Sequence, residues 1–437
     1  MVTGTATGSG AEGMGAGPQA TAEAAPPGRA HDPVIPGPAI PDPVRPDTAP
    51  ATPAPAPSAR ALRWLICTHH LHEWAGSEVV TIEMLQALTG RGHEVTLYCR
   101  FADPAMLDAA GMPDLPVIRD PAGVNLGDYD VVYSHHQAPT AFLARQAPDV
   151  LLGEKRPVFV YNHLSPFEPF EFPAPFSQAV LADIILANSP ETRTKLAGFG
   201  PEFAEATLFP NPAPRSFAAP QPELDPTWMT RLLSVSNHLP DELAHAFRIL
   251  EAQGVQVTRI GQAGQQRRLT PTDVQTHDAV VTIGKTVQYA LRSHRPVFCY
   301  DHFGGPGWLL PDRVPAATAT NFSGRCTPGP RPADALAREL ARGFPEAARQ
   351  LPDPMPYRLE EHLDRLEARI GKLRAGRPQP RVDRETFLGQ CRREQELYGL
   401  IDRQYAHARG LDEKCRIQGR RLRGYEETLG IRPAGGS

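Results

Sequence analysis

The chain has 437 residues, a formal net charge of −4 and a pI near 6.4. That length suggests two domains or more, and the mild acidity argues against a nucleic-acid binder. No apolar run approaches the roughly 18 residues of a membrane-spanning helix, and the six cysteines include no CxxC pair, which suits a reducing, cytoplasmic setting.

Residues 1–60 hold 13 of the 48 prolines and no Phe, Trp or Tyr. Such a segment buries too little apolar surface to offset chain entropy, so disorder is expected there. From residue 61 short apolar runs alternate with amphipathic stretches. Leu62–Cys67 and Glu94–Cys99 read as strands flanking a helix from about Ser77 to Thr89. Asp130–Ser134, Pro157–Tyr161 and Asp183–Ala187 continue the series, and Thr207–Pro212 closes a first lobe. A proline-rich bridge leads to a second set of strands, Leu232–Ser236, Val255–Ile260, Ala279–Ile283 and Pro296–Tyr300, with helices over 240–252, 271–276 and 285–294. Strands that alternate with helices imply βαβ units and parallel sheets. The expected fold is therefore α/β, two doubly wound Rossmann-type lobes facing a cleft. The expected division is 1–60 (disordered), 61–215 (first lobe, acceptor side), 216–355 (second lobe, donor side) and 356–437 (helical tail). In the tail, Leu359, Leu363, Leu366, Ile370 and Leu373 recur at spacings of four, three, four and three. This heptad-like stripe suggests a coiled-coil-like hairpin and self-association through 357–408. Residues 357–437 carry 18 basic and 13 acidic groups. That local excess adds peripheral membrane association to the expectations.

The chemistry-bearing stretch is Thr282 to Trp308. Gly284, Lys285 and Thr286 open a helix after an apolar strand, with Gln288 one turn on. Asp301 follows the next strand, and Gly304-Gly305-Pro306-Gly307 reads as a loop. A helix N-terminus offers unpaired N–H groups to an anion, Lys285 adds a full charge, and glycines admit close approach. The stretch reads as half of a nucleotide-diphosphate site. Gly284-Lys285-Thr286 is no P-loop, because Ala279 stands where that motif needs glycine. Gly76 and Ser77, after the first strand, are placed at the same cleft. Glu78, His135 and His163 are assigned to its acceptor side. His69, His70 and His72 precede Glu73, but Gly76 stands where a zincin helix needs its second histidine. No metal site and no cofactor are expected.

These motifs, in this order, resemble the GT-B-fold glycosyltransferases, in particular the large retaining group called family 4 or group 1. The resemblance spans roughly residues 62–350. Trp74-Ala-Gly-Ser-Glu78 with Gly90-Arg-Gly-His-Glu-Val95 is similar to that family's opening turn, helix and "GHEV" strand start. Asp130–His135, Val158–His163, Ala182–Ser189, Phe209-Pro-Asn211 and Arg295-Pro-Val-Phe298 resemble its later motifs. The resemblance implies metal-independent transfer of a sugar from a nucleotide-activated donor to a glycan or lipid-linked acceptor, with retention. Two features depart from the family. Val281 and Tyr289 stand where it carries two glutamates, and Val235–Glu242 lacks its usual Arg and Lys. They leave a second expectation open, a non-catalytic GT-B-like module that binds a glycan or a protein and assembles through its helical tail.

Overall fold

The computed structural model describes residues 61–429, except 166, 168–170, 221–226, 262–263, 266 and 328. The expectation for residues 1–60 lies outside the described residues.

Seven strands form the first sheet: β1 (Arg63–Leu71), β2 (Glu94–Ala102), β3 (Val117–Ile118), β4 (Val131–His135), β5 (Val158–His163), β6 (Ala182–Ala187) and β7 (Thr207–Leu208). Their order is β3-β2-β1-β4-β5-β6-β7, and every pairing is parallel. The second sheet holds β8 (Arg231–Val235), β9 (Gln256–Ile260), β10 (Ala279–Thr282), β11 (Val297–Asp301) and β12 (Gly304–Trp308), in the order β12-β11-β10-β8-β9. Central strands such as Val131–His135, Val158–His163 and Ala279–Thr282 are buried along their whole length. That fits a parallel sheet covered on both faces. The strand order reverses between β1 and β4 in the first lobe and between β8 and β10 in the second. Crevices for ligands open at such switch points, beyond the C-terminal strand ends.

Two segments cross between the lobes side by side. Ala213 N–H donates to Tyr357 O at 2.7 Å and Leu359 N–H donates to Ala213 O at 3.0 Å. The chain thus returns to the first lobe after completing the second. Helix Leu359–Ala375 then places Leu359, Leu363, Leu366 and Ile370 in the core of the first lobe, with Trp64, Ile82, Leu85 and Val160. The heptad-like stripe is consequently an intramolecular seam. Its period was read correctly, but a stripe of that width covers a sheet face as readily as a second helix.

The last helix, Arg384–Leu429, is about 69 Å long at 1.5 Å per residue. It runs past residue 408, where the expected self-association stretch ended. One face lies along the first lobe. Phe387 and Cys391 enter the core beneath the sheet. Glu394 accepts from Phe176 N–H (2.7 Å) and Ser177 N–H (3.0 Å). Tyr398 Oη donates to Pro173 O at 2.8 Å, and Asp402 pairs with Arg100 at 2.7 Å. The steps 387, 391, 394, 398 and 402 follow a helical stripe interrupted by Glu394 and Asp402, so a search for apolar periodicity passes over it.

One expected loop is a strand. Gly304–Trp308 runs antiparallel to β11 at the sheet edge. A side chain on Gly304 would collide with the carbonyls of Gly329 and Thr327, and one on Gly305 with that of Cys299. These glycines permit close backbone packing at the sheet edge.

Candidate functional site

A cavity of about 310 Å³ lies between the two lobes at both switch points. From the first lobe it takes Trp74, Ala75, Gly76 and Val79, the turn after β1 and the start of helix Gly76–Gly90. From the second it takes the strand ends at Ser236–His238, Gly284–Thr286 and Asp301–His302, with Arg267 and Arg268 from the loop after β9. Its volume falls at the lower end of ligand pockets.

Two of the expected glycines open directly onto this space. A Cβ built on Gly76 or on Gly284 would meet nothing within 4 Å. Gly284 also holds φ at +60°, a conformation that a side chain disfavours. Its N–H is taken by Phe322 O at 3.0 Å. The first-turn N–H groups of Lys285 and Thr286 have no partner within the helix. Asp301, buried at the end of β11, accepts from His302 N–H (2.8 Å) and Ser236 Oγ (3.4 Å), and Ser236 Oγ accepts from His238 N–H (3.0 Å). These bonds tie the ends of β8 and β11 into one rim.

Lys285 lines the cavity, and its ammonium is already engaged. Nζ lies 2.7 Å from Glu83 Oε2 and donates to Asn211 O (2.9 Å) and Pro212 O (2.5 Å). The Lys285 side chain is 8% exposed and that of Glu83 2%. Burial pushes the lysine pKa down, and Glu83 pulls it back up. Tyr289 Oη donates to Glu83 Oε1, and its ring stacks on Phe217 at 3.9 Å. Glu83 belongs to the first lobe, while Lys285 and Tyr289 belong to the second. The trio is an interlobe clamp, which corrects the reading of Lys285 as a phosphate ligand. Three donor or pairing contacts already occupy its ammonium.

The remaining expected residues stand outside the cavity. Gln288 is buried and donates to Pro210 O at 3.3 Å. Ser77 Oγ donates to Glu78 Oε2 at 2.7 Å. Glu78 is fully buried, and burial pushes its carboxyl up to about 7 against the pull of Ser77. His135 Nδ1 is 3.1 Å from Thr81 Oγ1, and His163 Nε2 is 2.8 Å from Gln178 Nε2. Burial lowers these two imidazoles to about 3 and about 4, so both are neutral inside the first lobe. They are structural histidines here. Strand β4 runs one residue and β5 two residues beyond the C-terminal ends read from the sequence, so both histidines are buried strand residues.

The structure adds residues that sequence reasoning passed over. The Arg268 guanidinium sits 5.6 Å from the Trp74 ring centroid and donates to Gln86 Oε1 at 3.2 Å, joining the lobes across the cavity. Among the described residues no carboxylate pairs with Arg268. Arg267 is held by Asp273 through two bonds of 2.6 Å. The positive charge missing after β8 is thus supplied after β9. The Arg267-Arg268 pair at a strand's C-terminal end was the available signal. Val281, at one of the family's glutamate positions, is buried in β10, and Tyr289, at the other, is spent on Glu83.

Residues 74–216 match the family model for Glycosyltransferase Family 4. That match spans about a third of the chain and lies in the first lobe. No curated protein matches it in sequence. Among solved structures, HepE from Anabaena in complex with UDP-glucose is 15% identical, with 70% of this chain and 100% of that one covered and a TM-score of 0.41. The galactosyltransferase WaaB of the lipopolysaccharide outer core, in its apo form, gives 14% identity, 70% and 99% coverage and 0.41. A putative UDP-N-acetylglucosamine 2-epimerase from Listeria monocytogenes gives 13%, 73% and 98%, and 0.43. Likenesses this distant say nothing of this chain's activity.

Proposed function

We propose that the protein transfers a sugar from a nucleotide-activated donor to a glycan or lipid-linked acceptor, and that the donor diphosphate sits in the interlobe cavity. The observation that carries this is the pairing of Gly76 and Gly284, two helix starts with open space above them, across a cavity that holds Arg268. Departure of a nucleoside diphosphate builds negative charge on its phosphate oxygens. Fixed N–H dipoles and a guanidinium held in place stabilise that charge without reorganising. Arg268 takes the role that sequence reasoning gave to Lys285, and its stacking on Trp74 orients the planar donor fork. Asp301 is the carboxylate available at the rim for donor hydroxyls. The family's two glutamate positions supply none, so a retaining outcome rests on resemblance alone.

The acceptor belongs to the first lobe. A second cavity of about 490 Å³ opens there, between the ends of β1, β2 and β4 and the last helix. Arg100, Arg145, Arg392 and Arg403 line it against Asp402 and Glu396, which suits an acceptor that carries phosphate or carboxylate. No helix among the described residues is long and apolar enough to cross a membrane. Cytoplasmic action, with access to a lipid-linked acceptor at the membrane surface, is part of this proposal.

Thermal unfolding with a panel of nucleoside diphosphates and their sugars tests the donor site. A rise with one base that is lost in Arg268→Ala and kept in Arg268→Lys at reduced size supports it. No rise with any nucleotide overturns it in favour of a non-catalytic module.

A further inference from the structure

We propose that His70, His72 and Glu78 form a binding site for a zinc-class divalent ion, which fastens the turn between β1 and the first helix. One ligand atom from each residue lies within 4.8 Å of the other two. His70 Nε2 and Glu78 Oε1 are already 3.4 Å apart. A tetrahedral ion with bonds of about 2.0–2.1 Å holds neighbouring ligands at roughly that separation, so only the His72 ring has to move in. Two histidines and one carboxylate, with a fourth position left for water, form a recognised ligand set for such ions.

Glu78 supplies the strongest argument. It is fully buried and its Oε2 accepts from Ser77, yet Oε1 receives no hydrogen bond. A buried carboxylate oxygen without a donor is costly, and a cation at this point removes the cost. The surroundings are arranged as around a metal. Ser77 orients the carboxylate, and Tyr405 Oη, on the last helix, stands 3.1 Å from His72 Nε2. The His70 ring lies stacked against those of His72 (5.0 Å) and Tyr405 (5.4 Å). Groups that fix ligand rings in this way tune metal affinity. Both histidines are partly exposed, so an ion has a route in.

The spacing is H-x-H followed, six residues on, by the glutamate. Sequence reasoning tested a zincin helix with Glu73 and rejected it. The glutamate that meets the histidines is Glu78, five residues further along and in the first turn of the helix. Between His72 and Glu78 lie Trp74, Ala75 and Gly76, which line the interlobe cavity. An ion here therefore pins the cavity's first-lobe wall and, through Tyr405, the last helix. This inference does not rest on the nucleotide reading, and either can fail alone.

The test uses the full chain, stripped with a chelator and titrated calorimetrically with Zn²⁺ and, separately, Mg²⁺. One Zn²⁺ per chain is expected, with affinity at least 10-fold weaker in His70→Ala/His72→Ala and in Glu78→Gln, and no comparable Mg²⁺ binding. The size of the loss follows from removing a ligand rather than one of its supports. Glu78→Gln keeps the shape of the side chain, so it still reports if the double variant fails to fold. Co²⁺ substitution should give a tetrahedral d–d spectrum without a thiolate charge-transfer band. No Zn²⁺ binding, undiminished binding in Glu78→Gln, or a thiolate band pointing to Cys326 or Cys415 each overturns the proposal.

Discussion

Replacing Lys285 with methionine keeps most of the apolar stem and removes the charge from the interlobe clamp. It leaves Glu83, 2% exposed at its side chain, facing only Tyr289, and strips the hydrogen bonds from the carbonyls of Asn211 and Pro212. Breaking a buried pair by removing one partner costs about 3–5 kcal/mol, because the other charge stays buried and uncompensated. For lobes of this size, at about 2–4 °C per kcal/mol, that lowers the unfolding midpoint by roughly 6–20 °C. Glu83→Gln/Lys285→Met should recover much of the loss, since it leaves no orphaned charge. Differential scanning calorimetry of the four proteins in this cycle measures the coupling directly. Nucleotide-induced stabilisation should survive in Lys285→Met, because the ammonium is already engaged by Glu83 and two carbonyls. A cost below about 1 kcal/mol, the level of a solvent-exposed pair, would refute the clamp. Selective loss of nucleotide stabilisation with the fold intact would return Lys285 to the phosphates.

Other consequences can be checked independently. Leu363→Ala opens a cavity in the first lobe's core and should cost about 2–5 kcal/mol in urea unfolding, with the mass in solution unchanged; a change of oligomeric state instead would restore the self-association reading. Glu394→Ala leaves the Phe176 and Ser177 N–H groups without their acceptor, at about 1–3 kcal/mol, and limited proteolysis should then cut the last helix sooner than it cuts the lobes. Burial pushes the Asp273 carboxyl up, but the hydrogen bonds from Arg267 and Thr270 outweigh it and hold the pKa down at about 2. The folded value lies below the ordinary 3.8, so this contribution is complete above that pH and fades as pH falls toward 2. Asp273→Asn should therefore flatten the loss of thermal stability from about pH 5 to about pH 3, and an unchanged slope would contradict the assignment.

Much of the architecture could be read along the chain. Buried parallel strands such as Val158–His163 and Ala279–Thr282 are continuous apolar runs, because both faces of such a strand meet helices. Gly76 and Gly284 could be placed at a cleft because a doubly wound sheet puts the turn after each strand on one edge, whatever the long-range contacts are. These are local rules, and one residue's neighbours in sequence suffice to apply them.

Other features depended on contacts that no local rule contains. Lys285 is a cation at a helix start in any reading of the sequence. Its role was decided by Glu83, some 200 positions away, which reaches it only when two lobes close on each other. Gly304 and Gly305 have the composition of a phosphate loop but act as packing glycines, because the edge strand's partner backbone fills their space. The leucine stripe of 359–373 announces a buried face without naming what buries it, and the answer is the sheet laid down 200 to 300 residues earlier. Arg268 over Trp74, and His70 and His72 beside Glu78, are likewise meetings of separate elements. The sequence by itself determined which segments are strands and helices and where a cleft must open, since those follow from periodicity and chain direction. Only the tertiary structure decided which charges in that cleft are free, because a charge is spent or available according to what stands within about 3–4 Å of it.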